Sequence, residues 1–206
     1  YFFKLQKNFK KINFTFNEYI RLSMCLILCF LTPPSLWIIN RIIFYNTWDQ
    51  ALIQCMGALY SANDIVALFT MWKKIPTTTK IHHLCVLVFS FLNALYIDYT
   101  DSGQIWRHTA ILAALSTPTY TVNTYLGIRC LEDISDKEKR RFADFALSNY
   151  GFCISLSFVY QFTILCLHQV WSWDLSLYLI ALFSIYYDDF HLSTYLWDQS
   201  NCKKNK

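Results

Sequence analysis

The chain has 206 residues, 55% of them hydrophobic and 18% aromatic, with a net charge of +4. That is too apolar for a water-soluble domain of this size, and the length leaves room for one membrane domain and no second folded unit. No basic patch interleaved with aromatics lies on a polar face, which argues against a nucleic-acid partner.

Residues 1–19 open YFFKLQKNFKK and alternate basic with aromatic residues. They read as an amphipathic segment lying on a membrane surface, ahead of the alternative that they are the stub of an earlier span. No secretory leader is recognisable, and opening on Tyr1 rather than Met is what a chain lacking its natural start would show.

Six apolar stretches follow, at about 20–40, 48–72, 81–97, 104–128, 145–168 and 173–197. Each approaches the roughly 20 residues that cross a bilayer. Backbone in lipid must satisfy its own hydrogen bonds, so spans of this length are helices. The expected fold is therefore all-α: a polytopic membrane helical bundle of about six transmembrane helices over residues 20–197, ending in a basic tail at 198–206. Pro33-Pro34 predicts a kink or break in the first span.

The charges test the span count. Lys4, Lys7, Lys10 and Lys11 precede the first span, and Lys73, Lys74 and Lys80 follow the second. Arg129, Lys137, Lys139, Arg140 and Arg141 follow the fourth, and Lys203, Lys204 and Lys206 follow the sixth. The opposite side receives only Arg41 and Arg107, with Asp98 and Asp101. The positive-inside rule then puts both termini on the cytosolic (or matrix) side. Trp37, Trp48, Trp72, Trp106, Trp171, Trp173 and Trp197 fall mostly near span ends, as an interfacial aromatic belt would. The charged stretch RCLEDISDKEKRRFADF reads as a solvated connection, with contact to anionic headgroups or a partner as the alternative. The cysteines form no CxxC pair and read as packing residues rather than a disulfide or zinc framework.

Against this background a polar set stands out. Asn63 and Asp64 lie in the second span, His82 and His83 open the third, Asn123 lies in the fourth, and Asp188, Asp189 and His191 lie in the sixth. All fall in the half of the bundle nearest the positive side. An ionisable residue inside a span costs about 2.5–3.5 kcal/mol on insertion scales, so each needs a partner or a cavity. Asp64 with a histidine, or Asp188 with His191 at i, i+3, would supply such pairs. A carboxylate orienting an imidazole also serves general-base or nucleophilic chemistry. Adjacent residues on a helix diverge by about 100°, so one histidine of the pair is expected to face a shared cavity. The alternative is plainer: histidines that snorkel to the interface and an Asp189 that faces headgroups. No H-x-x-H or E-x-x-H spacing is present, and no metal site is expected.

The stretch LYSANDIVALFTMWKKIPTTTKIHHLCVLVFSF, followed by LAALSTPTYTVNTYLGIR, resembles the TLC domain, the membrane family of ceramide synthases and TRAM-like proteins. The likeness extends over about residues 20–197. It lies in an Asp on one helix, a short basic loop and a His pair opening the next helix: Asp64, the loop from Lys73 to Lys80, and His82-His83. The resemblance implies a TLC-like fold that binds or modifies lipid. It further implies a catalytic role for His82, His83 and Asp64 in acyl-CoA-dependent N-acylation of a sphingoid base, or in control of membrane lipid composition. Acyl-CoA would then be a substrate, and no cofactor is implied. Asn63, Asn123, Asp188, Asp189 and His191 would bind lipid. The D-x-S-D helix of the ceramide synthase branch has no counterpart, because AALSTPTYTVNTYLGI carries no carboxylate. That places the chain nearer the less characterised TLC branches.

Two further readings stay open. The terminal KKNK resembles a di-lysine retrieval signal, which points to the endoplasmic reticulum. Alternatively the chain is a non-catalytic accessory subunit of a large assembly, such as one of the mitochondrial inner membrane, that packs against protein partners and binds lipid. A channel or transporter is disfavoured by the lack of an inverted repeat, a glycine-broken helix pair or a ring of like charges.

Overall fold

The computed structural model describes residues 2–73, 75–129, 134–167 and 171–201, with side chains from Ser23 onward except that of Met71. Among the described residues all regular structure is helical. The helices are α1 (Phe2–Tyr45), α2 (Gln50–Met71), α3 (Thr77–Leu95), α4 (Thr109–Ser116), α5 (Tyr120–Ile128), α6 (Asp136–Leu167) and α7 (Trp173–Asn201). A 3-10 turn, Ile105–His108, leads into α4, and a second, Thr117–Thr119, joins α4 to α5. The turn, α4 and α5 together make one interrupted rod, so the six expected helical segments are present.

Local chemistry sets the ends. Asp49 caps α2 by accepting from the Leu52 amide at 3.1 Å. Ser135 and Glu138 form a reciprocal cap at the start of α6: the Ser135 amide donates to Glu138 Oε2 at 3.0 Å, and the Glu138 amide to Ser135 Oγ at 3.3 Å. α1 stops at Asn46, whose φ of 48° is a left-handed conformation that asparagine tolerates.

Of the kink or break expected at Pro33-Pro34, the break does not occur there: α1 continues through both prolines. It occurs instead at Pro118, where the ring removes an amide donor and the chain tightens into 3-10 geometry. The site is built for it. Asn149 of α6 donates to the Pro118 carbonyl at 2.5 Å and to Thr121 Oγ1 at 3.0 Å. Thr117 and Thr119 donate to the carbonyls of Ala114 and Ser116. The Ala114 carbonyl, four residues before Pro118 and so without its helical donor, accepts from the Thr117 amide as well as its hydroxyl.

The packing order closes on itself. α1 packs on α2, α2 on α3, α3 on α7, α7 on α6, α6 on α5, and α5 on α1. α4 also reaches α2 as well as α1 and α6, so this half of the fourth rod lies inside the ring. It is buried accordingly, with Thr109, Ala110, Ile111, Leu112, Ala114 and Leu115 all in the core. A polar network pins its start: His108 Nδ1 lies 2.7 Å from the Tyr160 hydroxyl, Gln161 donates to the His108 carbonyl at 3.1 Å, and Tyr178 donates to Gln161 at 2.5 Å. α5, beyond the break, stands in the wall. One half of the ring is thus filled by α4 and the other is left open.

The outer surface is apolar. Phe69 (85% exposed), Leu95 (82%) and Phe30 (78%) point outward while Asp64, Asp188 and Asp189 are buried. Four helical stretches are long and apolar enough to cross a membrane: Ser23–Tyr45, Gln50–Thr70, Thr77–Leu95 and Asp136–Leu167. α4 and α5 are each too short, and α7 carries aspartates at 174, 188, 189 and 198. Trp106 departs from the expected aromatic belt. It is buried, donates to Asp174 Oδ1 at 2.9 Å, and packs edge-on against Phe89 and Tyr178. The side chains of Lys4, Lys7, Lys10 and Lys11, together with Lys74, Cys130, His168 and the KKNK tail, lie outside the described residues.

Candidate functional site

α3 lies between α2 and α7, and that placement decides what its two histidines do. Side chains about 100° apart on such a helix meet different neighbours. His83 turns to α2, where its Nδ1 hydrogen-bonds Asp64 Oδ1. His82 turns to α7, where its Nδ1 lies 3.3 Å from Asp188 Oδ2 and 3.8 Å from Asp189 Oδ1. That is ion-pair distance without hydrogen-bond alignment, since His82 Nδ1 has no hydrogen-bond partner. The two rings stand 5.7 Å apart, inclined at 64°.

The carboxylates are anchored in turn. Asp188 Oδ1 accepts from Thr79 Oγ1 at 2.9 Å, which ties the first turn of α3 to α7. Asp189 Oδ1 accepts from the Tyr150 hydroxyl of α6 at 2.7 Å. All three aspartates are less than a tenth exposed. A buried carboxylate without such partners would be strongly destabilising, so the network is what makes three of them tolerable at one level.

These groups line a cavity of about 650 Å3 in the open half of the ring. Every residue singled out from the sequence stands on its wall: Asp64, His82, His83, Asn63, Asn123, Asp188, Asp189 and His191. Two expectations are corrected. Both histidines, not one, line the cavity, because it spreads behind the start of α3 from α2 to α7. Asp188 does not pair with His191. Thr79 and His82 occupy it, while the His191 ring packs edge-on against Tyr187 at 4.6 Å and beside Phe190. The histidine side chains are 17% exposed and stand beside carboxylates, and Asp189 faces Tyr150.

A smaller pocket of about 60 Å3 adjoins this cavity, with Tyr60, His82, Leu112 and Ser116 common to both walls. Its far end is closed by a polar clasp between α2 and α3. Gln54 donates to the Asn93 carbonyl at 2.9 Å, Asn93 donates to the Gln54 carbonyl at 3.2 Å, and Tyr99 donates to Asn93 Oδ1 at 2.5 Å.

Sequence reasoning passed over Tyr150, Asn93 and Arg129 as site residues. Asn93 carried a signal, a lone amide in an apolar run. Arg129 stands in the sequence only as one of the topology charges. A tyrosine in an aromatic-rich helix carries no signal, and only the α6–α7 contact reveals Tyr150.

A carboxylate on Nδ1 places the proton there and leaves the Nε2 lone pair available, which is the tautomer a general base or nucleophile requires. Among the described residues no three His, Cys, Asp or Glu side chains are placed to hold a metal ion. Compared with known proteins, the chain matches no family model, no curated protein and no solved structure.

Proposed function

We propose that this chain is a TLC-like integral membrane protein that holds a lipid or acyl chain in the cavity and acts on its polar end through the histidine pair. The observation that carries this reading is the pairing itself: two adjacent imidazoles on one cavity wall, each beside a carboxylate from a different helix. Four apolar spans and an apolar outer surface agree with it.

The reaction that fits these groups is transfer of an acyl group from a thioester to an amine. His83, oriented by Asp64, accepts the proton of the attacking amine as nitrogen bonds to the thioester carbonyl. The carbon–sulfur bond then breaks and the thiol leaves with a proton, giving an amide and free thiol. Asn123 and Asn63 are the side-chain amides on the wall that can donate to the developing oxyanion. The Asn63 Nδ2 is buried without a partner. The missing carboxylate in the fourth rod is offset by Asp188 and Asp189, which approach His82 from α7.

The test is an assay of the purified protein with palmitoyl-CoA and a long-chain amine, following thiol release and amide formation. Turnover that disappears in the His82→Ala/His83→Ala double variant, with the fold retained, is the expected result. No turnover in the wild type, together with constant co-migration with a large assembly in mild detergent, would mean an accessory subunit instead.

A further inference from the structure

We infer that the cavity receives a phosphate-bearing amphiphile, with Arg129 as the group that takes the phosphate; this rests on the lipid reading above. Arg129 stands where α5 ends and lines the same cavity as the histidines. Its guanidinium is held from one side, by a hydrogen bond from Nη1 to the Tyr195 hydroxyl and by lying 5.5 Å from the Tyr195 ring. An arginine carries five N–H donors, and among the described residues no other Arg129 donor is engaged.

The cavity is not short of carboxylates, yet none of them pairs with Arg129. Asp64 is bound to His83, Asp188 to Thr79 beside His82, and Asp189 to Tyr150. The wall therefore presents a positioned cation, and the cavity's three described aspartates each have another partner. Asn63 stands on the same wall; it is 5% exposed and its Nδ2 is buried without a partner. Leu28, Leu115, Val122 and Leu126 supply apolar wall in the same cavity. A ligand matching this inventory has an anionic head and an apolar body. At the end of a span the anion a bilayer presents is phosphate, and the guanidinium fork binds it through paired hydrogen bonds. The phosphate can belong to a bilayer phospholipid or to the carrier of an acyl thioester.

The experiment compares the full chain with R129Q, both purified in mild detergent. Retained lipid is identified by mass and its phosphorus counted per chain. The wild type is expected to retain a phosphorus-containing lipid near one per chain, and R129Q to retain about tenfold less at an unchanged elution volume. Undiminished retention in R129Q would overturn the inference. So would a wild-type lipid without phosphorus, a result that needs no variant to fold and leaves the lipid reading intact. A wild type that retains no lipid would overturn both. Displacement of the retained lipid by added palmitoyl-CoA assigns the phosphate to the thioester carrier. Resistance to palmitoyl-CoA, with exchange against dioleoyl phosphatidylglycerol, assigns it to the bilayer.

Discussion

Tyr150 and Asp189 are joined across the α6–α7 interface by a 2.7 Å hydrogen bond that neither helix could make alone. The bond supplies the donor that lets a second carboxylate sit beside Asp188 at the cavity wall. Tyr150→Phe removes the donor while preserving the ring. The expected cost is about 1–3 kcal/mol, the range for stranding a buried polar group. Thermal unfolding in detergent measures it, and an unchanged midpoint would show that Asp189 finds another donor.

Asp64 and Asp188 serve different imidazoles, and their amides can be compared directly. Asp64→Asn replaces an acceptor-only carboxylate with a neutral amide that can donate to His83 Nδ1 and so no longer fixes its tautomer, whereas Asp188→Asn disturbs His82 and the tie to Thr79. If His83 is the reacting base, D64N lowers amide formation by about 100-fold or more, the usual contribution of a positioned general base. D188N should then cost less. The reverse order in the thiol-release assay would make His82 the reacting residue.

Gly57 is a packing position. A methyl group there would stand 2.6 Å from Asn93 Nδ2, and Asn93 is clamped by Gln54 and Tyr99 and has no room to withdraw. Gly57→Ala should cost about 1–3 kcal/mol through overpacking. Gly151, within α6, has nothing within 4 Å of its would-be Cβ, so Gly151→Ala should be neutral or gain up to about 1 kcal/mol from helix propensity. A lower melting midpoint for Gly57→Ala and an equal or higher one for Gly151→Ala are the expected outcome.

Asp98, in the connection after α3, is an acid-sensitive turn. The Thr100 hydroxyl donates to its Oδ1 at 2.6 Å and the Thr100 amide at 2.9 Å, and these bonds hold its carboxyl below the usual carboxylate range. The stabilisation of the turn is therefore present above the ordinary carboxylate value and lost as pH falls through the lowered one. Thr100→Val removes the larger contribution and should move loss of the turn to higher pH. Hydrogen exchange at the Thr100 amide against pH reads the shift, and identical profiles would count against it.

The amino-acid sequence alone determined the helical rods, because runs of apolar residues near bilayer length leave the backbone little alternative to helix. It also singled out Asp64, His82, His83, Asp188 and Asp189, because ionisable groups are anomalous in such runs wherever they end up. The tertiary structure decided which helices are neighbours, and with that the partners: His83 to Asp64, His82 toward Asp188, and Tyr150 to Asp189. The i, i+3 spacing of Asp188 and His191 suggested a pair, but α3 packs against α7 and its Thr79 and His82 reach Asp188 from outside the helix. Two prolines in α1 suggested a kink or break, yet α1 runs through both, and the interruption forms at Pro118, where Thr117 serves the Ala114 carbonyl that Pro118 cannot reach. In each case the sequence specifies a local preference worth a few kcal/mol, while contacts from distant helices decide which preference is expressed.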